Sequence, residues 1–258
     1  MKTAFLKRLP LGALLLLPVL SWAQAQESKA VKFEDLKTVK LNEPNKKRGL
    51  PVMEALSLRA SVREWSDKDV GLQDLSDLLW AANGINRPDG KRTAASAMNA
   101  QDVDIYVLMK DGAYLYDAAG HALVPVAAGD LRSQFMMSRP PAKPGRGGPG
   151  GAGDGGQKPG AAGGPGRPGG PGGPPSPAPI QLILVSDVSR FPGGTPELKL
   201  EWGAIDVGLV SQNIAVFCAG TGMVTRPRAS IDKDKIKALL KLQETQHPFL
   251  NHPVGYPK

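Results

Sequence analysis

The sequence predicts an α+β domain. Three observations point there. Ile180–Val185 is an unbroken run of β-branched residues and leucine around Gln181, the pattern of a buried strand. Asp104–Met109, the turn Lys110-Asp111-Gly112 and Ala113–Tyr116 form a hairpin signal. Leu198–Ala219 is a long helical stretch with apolar residues on most sides.

The elements follow in order. Residues 26–50 are polar and lysine-rich and read as a leading arm. Helical spacing begins near Val52, with Val52, Leu56 and Ala60 on one face. Leu72, Leu75, Leu78, Leu79 and Ala82 repeat at helical intervals, and Asn83-Gly84 ends that helix. After the hairpin, His121–Val126 reads as a further strand and Asp130–Met136 as a helix. The long stretch from Leu198 stops at Gly220 and Gly222, and its apolar surround places it centrally or in a subunit interface. Asp232 opens a last helix with Ile236, Leu239 and Leu240 on one face, and Phe249–Tyr256 reads as an edge or exchanged strand. The sheet is expected to be mixed or antiparallel, with helices around the long one.

Composition first suggests something else. The chain has 258 residues, 31 Gly, 24 Pro and a net charge of +8. Residues 140–179 hold 16 of those Gly, 12 of the Pro and a net +3. Residues 1–25 hold another +3, from Lys2, Lys7 and Arg8. The other 193 residues carry only +2, so the basic balance does not argue for a nucleic-acid partner. Residues 140–179 read as a disordered insert, because so few apolar side chains cannot offset ordering entropy. Its Gly151, Gly153 and Gly156 match G-x-G-x-x-G only by chance, since no strand precedes them. Residues 51–258 are thus one domain interrupted by that insert.

Residues 1–25 have a basic start, an apolar run from Leu9 to Val19 and Ala23-Gln24-Ala25. That pattern predicts a Sec signal peptide cleaved after Ala25 and an exported, periplasmic protein with no stable membrane anchor. No later apolar stretch reads as long enough to span a bilayer. Cys218 is the lone cysteine, which excludes a disulfide framework and a cysteine-based zinc site. With only His121, His247 and His252 besides, no metal is expected.

Chemistry is carried by short polar segments. Arg59-Ala60-Ser61-Val62-Arg63 sets two guanidiniums about a hydroxyl at alternate positions, and in an extended backbone all three face one way. An arginine fork suits phosphate oxygens. Arg226-Pro227-Arg228 supplies a second pair after the long helix. Ser96, Asn99 and Gln101 offer donors and acceptors suited to the edge of a polar heterocycle.

In chain order the sequence reads R-x-S-x-R from Arg59, L-L-W-A-A-N-G from Leu78, R-T-A-A-S-A-M-N-x-Q from Arg92, G-A-I-D-V-G-L-V-S-Q-N from Gly203 and G-T-G-M-V-T-R-P-R from Gly220. This succession resembles the nitroreductase family of FMN-dependent oxidoreductases. Leu78–Gly84 with Arg92-Thr93-Ala94 looks most like the branch related to SagB and thiazoline-oxidase dehydrogenases, and Val254–Lys258 looks like the ending of exported members. Ala95 stands where the family often has proline, and no Lys-Tyr pair of the azoline-oxidase kind can be placed.

The resemblance implies an FMN-binding fold and an intertwined homodimer with two sites at its interface. Arg59, Ser61 and Arg63 would hold FMN phosphate or ring atoms, and Arg226 or Arg228 would complete the clamp. Ser96, Asn99 and Gln101 would approach the isoalloxazine from the partner subunit. The flavin would carry the chemistry, with no catalytic side chain, between a small-molecule donor and a nitroaromatic, quinone or similar acceptor. The alternative is a protein on the same fold that binds flavin or another ligand without turnover.

Overall fold

A computed structural model describes residues 31–135 and 177–258. The expected signal peptide 1–25, residues 26–30 of the arm and residues 140–176 of the insert lie outside the described residues. The fold is α+β, with seven strands in one sheet among the described residues. These are β1 (Val39–Lys40), β2 (Val103–Leu108), β3 (Gly112–Asp117), β4 (Ala122–Ala128), β5 (Ile180–Asp187), β6 (Val224–Thr225) and β7 (Gln246–Gly255). Their spatial order is β1-β4-β3-β2-β5-β7-β6, and every neighbouring pair is antiparallel. Among the described residues, four α-helices accompany the sheet: α1 (Val52–Leu58), α2 (Leu72–Asn83), α3 (Pro196–Thr221) and α4 (Lys233–Leu240).

β5 shows why its sequence is apolar on both faces, with Gln181 the one polar residue between Ile180 and Val185. Side chains alternate across a strand. Ile180, Leu182 and Leu184 join the cluster formed with α2 and α3. Ile183 and Val185 join the opposite cluster with Ile236 and Leu240 of α4. Both faces of the strand are therefore covered, and no polar alternation is left in the pattern.

α3 starts and stops on local signals. Thr195 accepts the Leu198 N–H, Pro196 opens the first turn, and Gly222 ends the helix at φ 75°. Val207, Val210, Ile214 and Cys218 are buried at helical spacing, whereas Ile205 is 55% and Leu209 42% exposed. By length and composition α3 could cross a membrane, contrary to the sequence reading, but half of its apolar window is packed inside the fold.

Three other expectations change. α1 buries Ala55, not the face of Val52 and Leu56, and Ala60 lies beyond its end. The reason is a close helix approach: a Cβ on Gly220 of α3 would lie 3.2 Å from the Ala55 Cβ. Residues 130–135 form turns rather than a helix, and Met136 lies outside the described residues. There the Asp130 carboxylate accepts the Arg132 N–H and pairs with its guanidinium, which also reaches the carbonyls of Ala178 and Pro179. Such a local side-chain bond competes with helix formation. Finally, β7 is not an edge, because it pairs with β5 on one side and with the two-residue β6 on the other.

Candidate functional site

Of the predicted arginines, Arg63, Arg226 and Arg228 come together past the C-terminal end of α3. At Arg59 the chain leaves α1 and becomes extended. The Val62 N–H donates to the Thr225 carbonyl at 3.0 Å, which lays residues 59–63 beside β6. Arg63 thereby stands close enough to Arg226 to lower its pKa, after the larger effect of burial. Arg228 is lowered by burial and then by Arg226. Its backbone is fixed by reciprocal bonds to Asn251, each 2.9 Å.

No carboxylate pairs with Arg59, Arg63, Arg226 or Arg228 among the described residues. The Arg226 Nε is buried and has no hydrogen-bond partner. Arg59, Ser61 and Arg63 are exposed. Beside them lies a cavity of about 160 Å³, lined by Leu58, Ala60, Val62, Cys218, Met223 and Thr225. Crowded cations with an orphaned donor at an apolar cavity suit a ligand with an anionic head. Cys218 is fully buried and burial pushes its thiol up, so it packs as an inert hydrophobe.

Ser96, Asn99 and Gln101 sit elsewhere, on a tight turn before β2. Met98, Asn99 and Gln101 all adopt left-handed φ, at 53°, 53° and 49°. Ser96 Oγ accepts the Gln101 N–H at 2.9 Å, and the Ser96 carbonyl accepts the Asn99 N–H. The Ala97 N–H donates to Asp206 Oδ2 of α3 at 2.8 Å. Gln101 is engaged at both ends of its amide, accepting from Arg92 Nε and donating to the Gly90 carbonyl. Asn99 and Met98 are exposed. The turn is thus rigidly built and presents Asn99 as its uncommitted polar side chain.

Sequence reasoning missed three residues here. Arg92 is half-buried with no carboxylate partner, and burial lowers its pKa. Asp206 and Asp102 are buried beneath the turn. A carboxylate set among the apolar residues that follow Glu201 was a readable signal for Asp206. Among the described residues, no group of three His, Cys, Asp or Glu side chains could hold a metal ion.

The two sets meet α3 at different levels, the turn at Asp206 near its middle and the arginines past its C-terminal end. From Asp206 to Gly222 the helix rises about 24 Å. One chain therefore brings Arg63, Arg226 and Arg228 together but leaves Ser96, Asn99 and Gln101 apart from them.

Comparison with known proteins matches this architecture. The family profile described as "Nitroreductase family" matches residues 56–256. A Methanocaldococcus jannaschii protein bearing a nitroreductase designation is 23% identical over 218 residues, covering 80% of this chain and 94% of its own. A crystal structure from Ralstonia eutropha, likewise bearing that designation, is 26% identical, covers 89% of this chain and 94% of its own, and has a TM-score of 0.69. The Escherichia coli microcin synthetase McbBCD complex, solved with truncated pro-MccB17, shares the fold at 13% identity. There the match covers 96% of this chain and 85% of that one, with a TM-score of 0.55.

Proposed function

The chain belongs to the nitroreductase family, and from that premise we propose that it is an FMN-dependent oxidoreductase working by a ping-pong scheme. A small-molecule donor would be followed in the same pocket by a nitroaromatic, quinone or similar acceptor. The carrying observation is the arginine cluster without carboxylates, whose Arg226 Nε is buried and unpartnered. That orphan and the adjacent cavity fit a phosphate-bearing cofactor. Bound FMN would accept and donate hydride at its N5.

The protein's own part is binding and placement. Arg63, Arg226 and Arg228 would hold the phosphate, with Arg59 and Ser61 beside them. The Ser96–Gln101 turn would meet the ring edge from a second copy of the chain. Exposed apolar side chains on α1 and α3, among them Met53, Leu56, Ile205 and Leu209, support a homodimer. Residues 1–25 would direct export to the periplasm, and the Gly/Pro-rich insert would loop out of the domain. The motif order favours the SagB-like branch.

The test is direct. The protein cleaved after Ala25 is purified, its flavin spectrum recorded, and NADH with a nitroaromatic added, with dithionite as an alternative reductant. Bound flavin that turns over is the expected result. Flavin that is held but never turns over would favour the binding protein instead. Failure to take up added FMN would overturn both readings.

A further inference from the structure

Beneath the Ser96–Gln101 turn lies a pair of carboxylates that sequence and family did not assign. Asp102 is 0% and Asp206 2% exposed. Ser186 of β5 donates to Asp102 Oδ2 at 2.5 Å, while Asp102 Oδ1 is buried without a partner. Asp206 of α3 faces Asp102 within hydrogen-bonding contact and takes the Ala97 N–H on its Oδ2. Two oxygens in contact cannot bond unless one carries hydrogen, and the orphaned Oδ1 is the vacancy such a proton would fill.

Among the described residues, the nearby cations are committed elsewhere and do not balance two anions. No cation pairs with either carboxylate among the described residues. Arg190, from the turn after β5, feels the charge of Asp102. Its guanidinium is nonetheless committed to Asp104 of β2 and the Gln101 carbonyl, with Asp187 further off at 3.5 Å. Arg92 is committed to Gln101. α3 itself contributes Gly203, whose missing side chain leaves room for Ser186 and Asp102.

We propose that Asp102 and Asp206 share one proton, and that this protonated pair positions the Ser96–Gln101 turn by holding the Ala97 N–H. With the proton in place, the pair bears a single charge satisfied by Ser186, the shared hydrogen and the Ala97 amide. Loss of the proton leaves two buried like charges side by side, and their repulsion pushes Asp206 off the amide. Burial, followed by Asp206, raises Asp102 to about 7, which sets where the release occurs. Neither residue needs to touch a ligand, so both are positioning residues.

Amide hydrogen exchange at Ala97 in the full chain tests this without any cofactor. Corrected for the intrinsic rate, protection should hold below neutrality. Above about pH 7 it should then fall by up to about tenfold per pH unit, the limit for one linked proton. Asp102→Asn carries a permanent donor toward Asp206 and should keep Ala97 protected with no step. Should that variant not fold, Asp206→Asn neutralises the other member and should likewise abolish the step. Ser186→Ala should retain it. Infrared spectroscopy below neutrality should show a carboxylic-acid carbonyl band that Asp102→Asn lacks. A wild-type profile without a step, or a step that survives in the Asn variants, would overturn the proposal. FMN affinity should follow the same step only if the turn meets flavin. That arm rests on the function proposed above, and Ala97 exchange does not.

Discussion

The arginine strip stands on His252, which is bonded to Ser211 of α3, and the Ser96–Gln101 turn stands on Asp102 and on Asp206 of the same helix. His252 is fully buried between Ser211 and Thr225. The Thr225 hydroxyl donates to the Pro253 carbonyl, so it must accept from His252 Nδ1–H, leaving Nε2 to accept from Ser211. The neutral ring is satisfied on both sides, and burial pushes its pKa down to about 3. Asp102 is displaced the other way, up to about 7. One support is secure when its group has no proton, the other when its pair keeps one.

The two supports therefore give opposite pH dependence, and separating them is the largest expected effect. His252 has a folded value below its ordinary 6.5, so its contribution is present above that pH and is lost toward about 3. Asp102 has a folded value above its ordinary 3.8, so its contribution is full below that pH and is lost toward about 7. Across the overlap the two slopes cancel, each up to about 1.4 kcal/mol per pH unit. Asp102→Asn should unmask stability that falls on acidification. His252→Gln should unmask stability that falls as the pH rises. Urea titrations between pH 4 and pH 6.5, the range set by the two ordinary values, read this directly. Parallel slopes in the two variants would show that the supports are not opposed.

The arginine end gives the next effect, in binding rather than stability. Arg226→Ala removes a charge-assisted partner and should weaken FMN binding by about 1.5–3 kcal/mol, ten- to a hundredfold. The unliganded protein should not lose stability, because Arg63 and Arg228 no longer face a like charge. Flavin fluorescence titration and thermal melts separate the two outcomes. At the turn the order reverses. A Cβ on Gly203 would overlap Ser186 Oγ and lie 2.9 Å from Ser186 Cβ. Gly203→Ala should cost about 1–3 kcal/mol of stability by overpacking, read by urea denaturation. An unchanged midpoint would mean that the packing around Asp102 yields freely.

The sequence was most legible where one pattern has one cause. β5 reads as buried because both its faces are covered, and α3 reads as long because its apolar residues run from Leu198 to the glycines at 220 and 222, although Thr195 and Pro196 open it two residues earlier. Legibility failed where a tertiary contact chose between equal local options. Val52 and Leu56 share a helical face with the right chemistry for a core, yet Ala55 is the residue that fits against Gly220. Asp130 could have opened a helix, but Arg132 and the carbonyls at Ala178 and Pro179 hold it in a turn. For the site, the R-x-S-x-R and R-P-R spacing named arginines that do cluster, since β6 lies beside the first segment. What no spacing could reveal is that Gln101 spends its amide on Arg92 and Gly90, or that Asp102 and Asp206 meet from distant stretches of chain.

The smallest effect asks how tightly the turn is held. Met98 is 53% exposed and sits at φ 53°, where a side chain with a Cβ is disfavoured. Its neighbours are fixed by the Ser96, Asp206 and Arg92 bonds, so the strain is imposed from both sides. Met98→Gly relieves that strain but gives the unfolded chain more freedom, and the two nearly offset. If the turn is as constrained as its bonds indicate, relief wins and the variant gains about 0.5–1 kcal/mol. If Ala97 protection falls in the same variant, the Met98 side chain rather than the carboxylate pair is what holds the turn. A gain in stability with protection unchanged assigns the holding to Asp206, and the strain at Met98 to the conformation that Asp206 imposes.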